Sequence, residues 1–115
     1  MKKFTAIMSV DYYFLIKDYL IQLYQQGAFD KDVYLMKFYK SFAINASIEL
    51  DRHNKDNPVS SIVFYLDDTH TMLVAVGLFC REHSLDLKTK NLELSMALNH
   101  LKNCLVTELF NILDL

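Results

Sequence analysis

The residues suited to chemistry in this 115-residue chain are few and scattered. Asp67 and Asp68 are adjacent, and paired carboxylates serve acid–base or magnesium sites. Such sites need further carboxylates or a phosphate-binding loop, and there is no glycine-rich loop and no GKS/T motif. Glu49 and His53 are spaced i, i+4, and Asp67 and His70 i, i+3, so on a helix each pair would share a face. Zinc wants three or four ligands with supporting groups behind them, and neither pair has more ligands nearby. His53 and His83 read as helix-end histidines favoured by the C-terminal dipole, and His100 as a partly exposed surface residue. The serines at 9, 41, 47, 60, 61, 84 and 95 lack a GxSxG elbow. Cys80 and Cys104 form no CxxC or Cys/His framework, and read as core thiols of a cytoplasmic protein. No catalytic residue, metal or cofactor is assigned, and the chain is not read as an enzyme.

Composition narrows the class further. Hydrophobic residues make up 52% and aromatic residues 13%, which excludes an intrinsically disordered chain. Net charge is −2, and Arg52 and Arg81 are the only arginines, which disfavours direct nucleic-acid binding. The longest apolar run, Met72 to Cys80, is nine residues, against the ~20 that a membrane-spanning helix needs. The first residues end in Asp11 with no good cleavage site, so they do not form a convincing signal peptide. The expectation is a soluble, cytoplasmic protein with no membrane partner. With two glycines and one proline, a fold of many short strands lacks turn residues.

The elements are therefore expected to be helices. Ser9 caps a first helix, Val10 to Gln26, which Gly27 ends. Its polar stripe, Asp11, Asp18, Gln22 and Gln25, is narrow, so the helix is central or faces a partner. Asp30 caps a second helix, with Leu35, Phe38, Phe42, Ala46 and Leu50 on its buried face, to about His53. Asn57-Pro58 starts a third segment to His83 with Val59, Ile62, Val63, Leu66, Leu73 and Val76 at helical steps. One long helix with an acidic step and two helices divided near Asp67–Asp68 both fit; a break fits better, because one helix would outrun its neighbours. Ser84 to Thr89 is a connection, and Thr89 caps a last helix from Lys90 to about Leu113. The predicted architecture is all-α, a single domain over residues 1–115, built as a bundle of four to five helices.

Function then rests on surfaces. Seven tyrosines exceed what the core faces require, and tyrosine suits interfaces because its ring is buried while its hydroxyl stays wet. Residues 58–115 carry four Lys/Arg against seven Asp/Glu, which favours a basic partner there. Tyr65, Asp67, Asp68, Glu82, Asp86 and Glu93 are the candidate partner-binding residues.

The segment 19–39, YLIQLYQQGAFDKDVYLMKFY, runs helix, glycine turn, acidic cap, aromatic-rich helix. It resembles the opening of small all-helical bacterial immunity proteins of the colicin and contact-dependent-inhibition types. The resemblance covers about a fifth of the chain and carries no diagnostic residue. It implies a cytoplasmic, non-catalytic inhibitor that binds a cognate toxin domain, often a nuclease. The alternative is a small helical regulatory adaptor or a homodimeric interaction protein.

Overall fold

The computed structural model describes residues 1–50, 59–67 and 69–112. The architecture is mixed α/β, which corrects the all-helical expectation. The order is β1 (Lys2–Met8), α1 (Val10–Gln25), α2 (Val33–Tyr39) running into a π turn (Lys40–Ile44), β2 (Ser47–Leu50), β3 (Ser60–Leu66), α3 (His70–Leu87) and α4 (Leu92–Ile112). The three strands form one antiparallel sheet in the order β1-β3-β2.

β1 is a half-buried strand. Phe4, Ala6 and Met8 point inward, while Lys3, Thr5 and Ile7 point out, the period-two pattern of a sheet with one covered face. Its pairing with β3 runs from Lys2↔Leu66 to Met8↔Ser60, which sets Phe4 opposite Phe64 with ring centroids 5.8 Å apart. β2 pairs with the other edge of β3, from Ser47↔Val63 to Leu50↔Ser60. The segment expected to open the third helix is thus the central strand.

α1 matches its expected limits. Ser9 accepts a hydrogen bond from the Tyr12 amide at 3.1 Å, and Gly27 takes the left-handed φ of 79° in the turn after the helix. Asp32, not Asp30, caps α2 through the Leu35 amide. The second helix does not reach His53. It widens at Lys40, where the Asn45 amide reaches back five residues to the Lys40 carbonyl at 3.0 Å, and stops at Ile44. Glu49 consequently lies on a strand; His53 lies outside the described residues. A helix does begin at His70, but it follows a strand, and Thr69 caps it in place of the expected Asp67 or Asp68. α3 continues through Ser84 to Leu87, residues expected in a connection, and Asn91 caps α4 in place of Thr89.

Helices cover the inner face of the sheet. Phe29, Phe38, Phe42, Phe64 and Phe79 meet in an aromatic cluster between β3, α2 and α3. Tyr13 donates its hydroxyl hydrogen bond to the Phe42 carbonyl at 2.9 Å, so its buried oxygen is satisfied. α3 and α4 pack as an antiparallel hairpin. A reciprocal pair of buried serines locks it: Ser84 Oγ donates to the Ser95 carbonyl at 2.8 Å, and Ser95 Oγ to the Ser84 carbonyl at 2.6 Å. Small side chains at both positions let the two backbones approach while leaving neither of these hydroxyls unpaired.

Candidate protein-binding face

Of the six residues selected from sequence, the five described ones do not form one patch. Tyr65 is 48% exposed and stands on the outer face of β3, opposite Lys3. Asp67, at the end of that strand, accepts a 2.8 Å hydrogen bond from Lys37 Nζ. The ammonium beside it holds the Asp67 carboxyl below its usual range, and the same contact raises Lys37. Tyr65 and Asp67 share a shallow cleft with Lys37 and Lys40, so the neighbourhood of Asp67 is not an acidic one. Asp68 lies outside the described residues. Glu82 and Asp86 are exposed near the far end of α3, and Glu93 is exposed in the first turn of α4. A helical rise of ~1.5 Å per residue puts Asp86 roughly 24 Å from the start of α3, where Asp67 sits. The described carboxylates lie near opposite ends of α3.

Asp86 does belong to a local constellation. The Tyr19 hydroxyl on α1 and His83 Nδ1 on α3 share a hydrogen bond. The His83 ring lies 4.2 Å from Phe79 and 5.5 Å from Tyr19, centroid to centroid. Burial lowers the His83 pKa from its ordinary 6.5, and nearby Asp86 and Glu82 only partly offset that. Burial, reinforced by Asp86, raises the Tyr19 pKa. His83 is therefore a neutral, half-buried strut between α1 and α3, not a solvated helix-end residue. Stability contributed by a depressed histidine is complete above its unfolded value near 6.5 and declines as pH falls below it toward the folded value. His83→Phe is expected to keep the ring contacts and flatten that part of the profile. Thermal unfolding of both proteins at pH 7.5 and 5.0 measures the difference; an unchanged pH dependence in the variant would refute it.

A further groove runs along the outside of the α3–α4 hairpin, in two adjacent halves. One half has a volume of ≈ 370 Å³ and is lined by Val74, Gly77, Leu78 and Arg81 of α3 and by Lys102 and Val106 of α4. The other half is lined by Leu85 and Lys88 of α3 and by Leu92, Met96 and Asn99 of α4, with Ser84 and Ser95 between them. On α3 the lining residues recur at three- and four-residue steps from 74 to 88, so both halves share one face of the helix. Leu78, Leu85, Leu92 and Met96 are 46%, 60%, 59% and 51% exposed. Side chains of this size left half in water on one face mark a contact surface more than scattered exposed leucines do.

The charges on this face are Arg81, Lys88 and Lys102, and no described carboxylate pairs with any of them. Glu82 and Asp86 project from a different flank of α3, where Asp86 acts on Tyr19 and His83. Sequence reasoning missed this face, though Met72 to Cys80 signalled it. Nine consecutive apolar residues on a helix cover its whole circumference, and one core can bury only part of that.

Among the described residues no group of three or more His, Cys, Asp and Glu could hold a metal ion. No described helix is long and apolar enough to cross a membrane. Comparison with protein-family models, curated proteins and solved structures finds no match to this chain.

Proposed function

We propose that the protein acts by binding another protein, without catalysis, through the outer face of the α3–α4 hairpin. The observation that carries this reading is the exposure of Leu78, Leu85, Leu92 and Met96 along one face of the helical hairpin. Two free thiols, Cys80 buried and Cys104 half-buried, suit a reducing compartment, so the site of action is taken to be the cytoplasm. The narrower reading is neutralisation of a bacterial toxin domain, in the manner of the immunity proteins that residues 19–39 resemble. A regulatory adaptor would use the same surface on a different partner.

The test is direct binding of the product of the adjacent gene, followed by calorimetry on a Leu78→Asp/Leu85→Asp variant. Both side chains are exposed, so circular dichroism is expected to be unchanged. Burying an unpaired carboxylate where a leucine anchored the contact costs about 2 kcal/mol or more, which weakens binding at least about thirtyfold. Full affinity in the variant would remove this face from the reading. Protection of cells expressing the adjacent product separates toxin neutralisation from an adaptor role, since an adaptor gives binding without protection.

A further inference from the structure

We infer that the α3–α4 groove receives an acidic amphipathic helix of a partner protein. This rests on the reading that the hairpin face is the binding surface, and adds the chemistry of what binds there.

The shape sets the length. The lined stretch of α3 from Val74 to Lys88 spans roughly 21 Å at ~1.5 Å per residue, enough for about four turns of a third helix. Buried Leu73 and Leu105 lie beneath one half beside Gly77, and the small Ser84 and Ser95 lie beneath the other. A Cβ placed on Gly77 would meet nothing within 4 Å. The fold does not require glycine there, and alanine is the better helix former at a mid-helix site. What Gly77 does is keep the floor low, so that leucines from a docked helix reach between Leu78 and Val106.

The charge sets the chemistry. Arg81 stands on one rim and Lys102 on the other of the same half, with Lys88 at the far end. A helix lying between them passes two cations at mid-length, one on each side. Carboxylates flanking its apolar stripe would pair with both, and lysines there would be repelled. A second copy of this chain fits poorly: a two-fold contact through this face would set Arg81, Lys88 and Lys102 against the same three cations, with no described carboxylate on the face to offset them.

The experiment is a display library of 16-residue helical peptides. Leucines are fixed at i, i+4, i+7 and i+11, and flanking positions are randomised among Glu, Gln and Lys. Selection uses the full chain, with Gly77→Leu and Arg81→Glu/Lys102→Glu as comparison proteins and circular dichroism as the folding control. The expected result is enrichment of Glu on both flanks and loss of binding to Gly77→Leu, whose added side chain fills open space. The selected peptides should bind Arg81→Glu/Lys102→Glu at least about fivefold more weakly, the scale expected when two exposed ion pairs are lost. Peptides blocked by Gly77→Leu but showing no Glu bias would overturn the acidic helix and leave the binding face standing. Self-association of the full chain that Gly77→Leu abolishes would do the same. Peptides indifferent to Gly77→Leu, or no selection at all, would overturn the inference; the adjacent-product titration then decides the face independently.

Discussion

Replacing Phe42 by alanine is expected to cost about 3–5 kcal/mol of folding stability. The side chain is fully buried, with ring centroids 5.2 Å from Tyr13, 5.2 Å from Phe64 and 5.5 Å from Phe38. It therefore joins α1, β3 and α2 at one point, and the surrounding backbone is held by strands and helices that cannot all close in. Total stability of a domain this size is about 5–15 kcal/mol, so the variant stands near the threshold of folding. Phe14, 45% exposed and touching Tyr13 from outside, provides the comparison: Phe14→Ala should cost far less. Urea denaturation measures both. A loss below about 1 kcal/mol at Phe42 would mean that this aromatic cluster is not the keystone of the core.

The second large effect concerns thiol chemistry. Burial pushes the Cys80 thiol up to about 12. Against a free thiol near 8.5, the thiolate fraction at pH 8 falls by about a thousandfold, and thiolate is the species that reacts. Native protein treated with an aromatic disulfide reagent at pH 8 is therefore expected to label Cys80 at least about a thousandfold slower than denatured protein. Cys104 is raised less by its half-burial, and a hydrogen bond with the Ile7 backbone partly opposes that rise. It should react first, giving one fast equivalent and one that waits for unfolding. Cys104→Ala assigns the two phases. Labelling of Cys80 at the free-thiol rate would show that the α3–α4 contact opens readily.

Helices with strong caps were readable from residues alone: Ser9 and Gly27 bound α1, and an acidic break precedes α3. The sheet was not, for identifiable reasons. Val59, Ile62, Val63 and Leu66 fall at helical steps, yet Ile62, Val63 and Phe64 are all buried because β3 is the middle strand and its neighbours shield even the outward-pointing Val63. A central strand whose outward Val63 is shielded by the strands on either side loses a clear alternation there. β1 alternates correctly in three dimensions, but Ile7, an apolar residue at an outward position, hides the pattern. The second helix was overextended because Ala46 and Leu50 continue its spacing, while pairing with β3 decides the outcome for Ser47 to Leu50. The structure does not gather the described candidate residues into one place. Tyr65 and Asp67 sit beside lysines at one end of α3, and Glu82, Asp86 and Glu93 at the other; linear charge counts carry no information about which cations tertiary contacts bring close.

The strand order β1-β3-β2 has a consequence for how the protein is made. The central strand is the last of the three to leave the ribosome. β1 emerges first, with Phe4, Ala6 and Met8 meant for the core, and the strand it must pair with does not exist until Ser60 to Leu66 have been synthesised. At ~5–20 residues per second that interval is roughly 3–12 s. β2 waits more briefly for the same strand. The N-terminal half therefore cannot complete a sheet by itself, and truncated chains ending before residue 60 would display two unpaired edges and an uncovered Phe42. Nascent chains of this protein are the form most exposed to aggregation, and slowing translation downstream of β2 would lengthen that exposure without altering the finished fold.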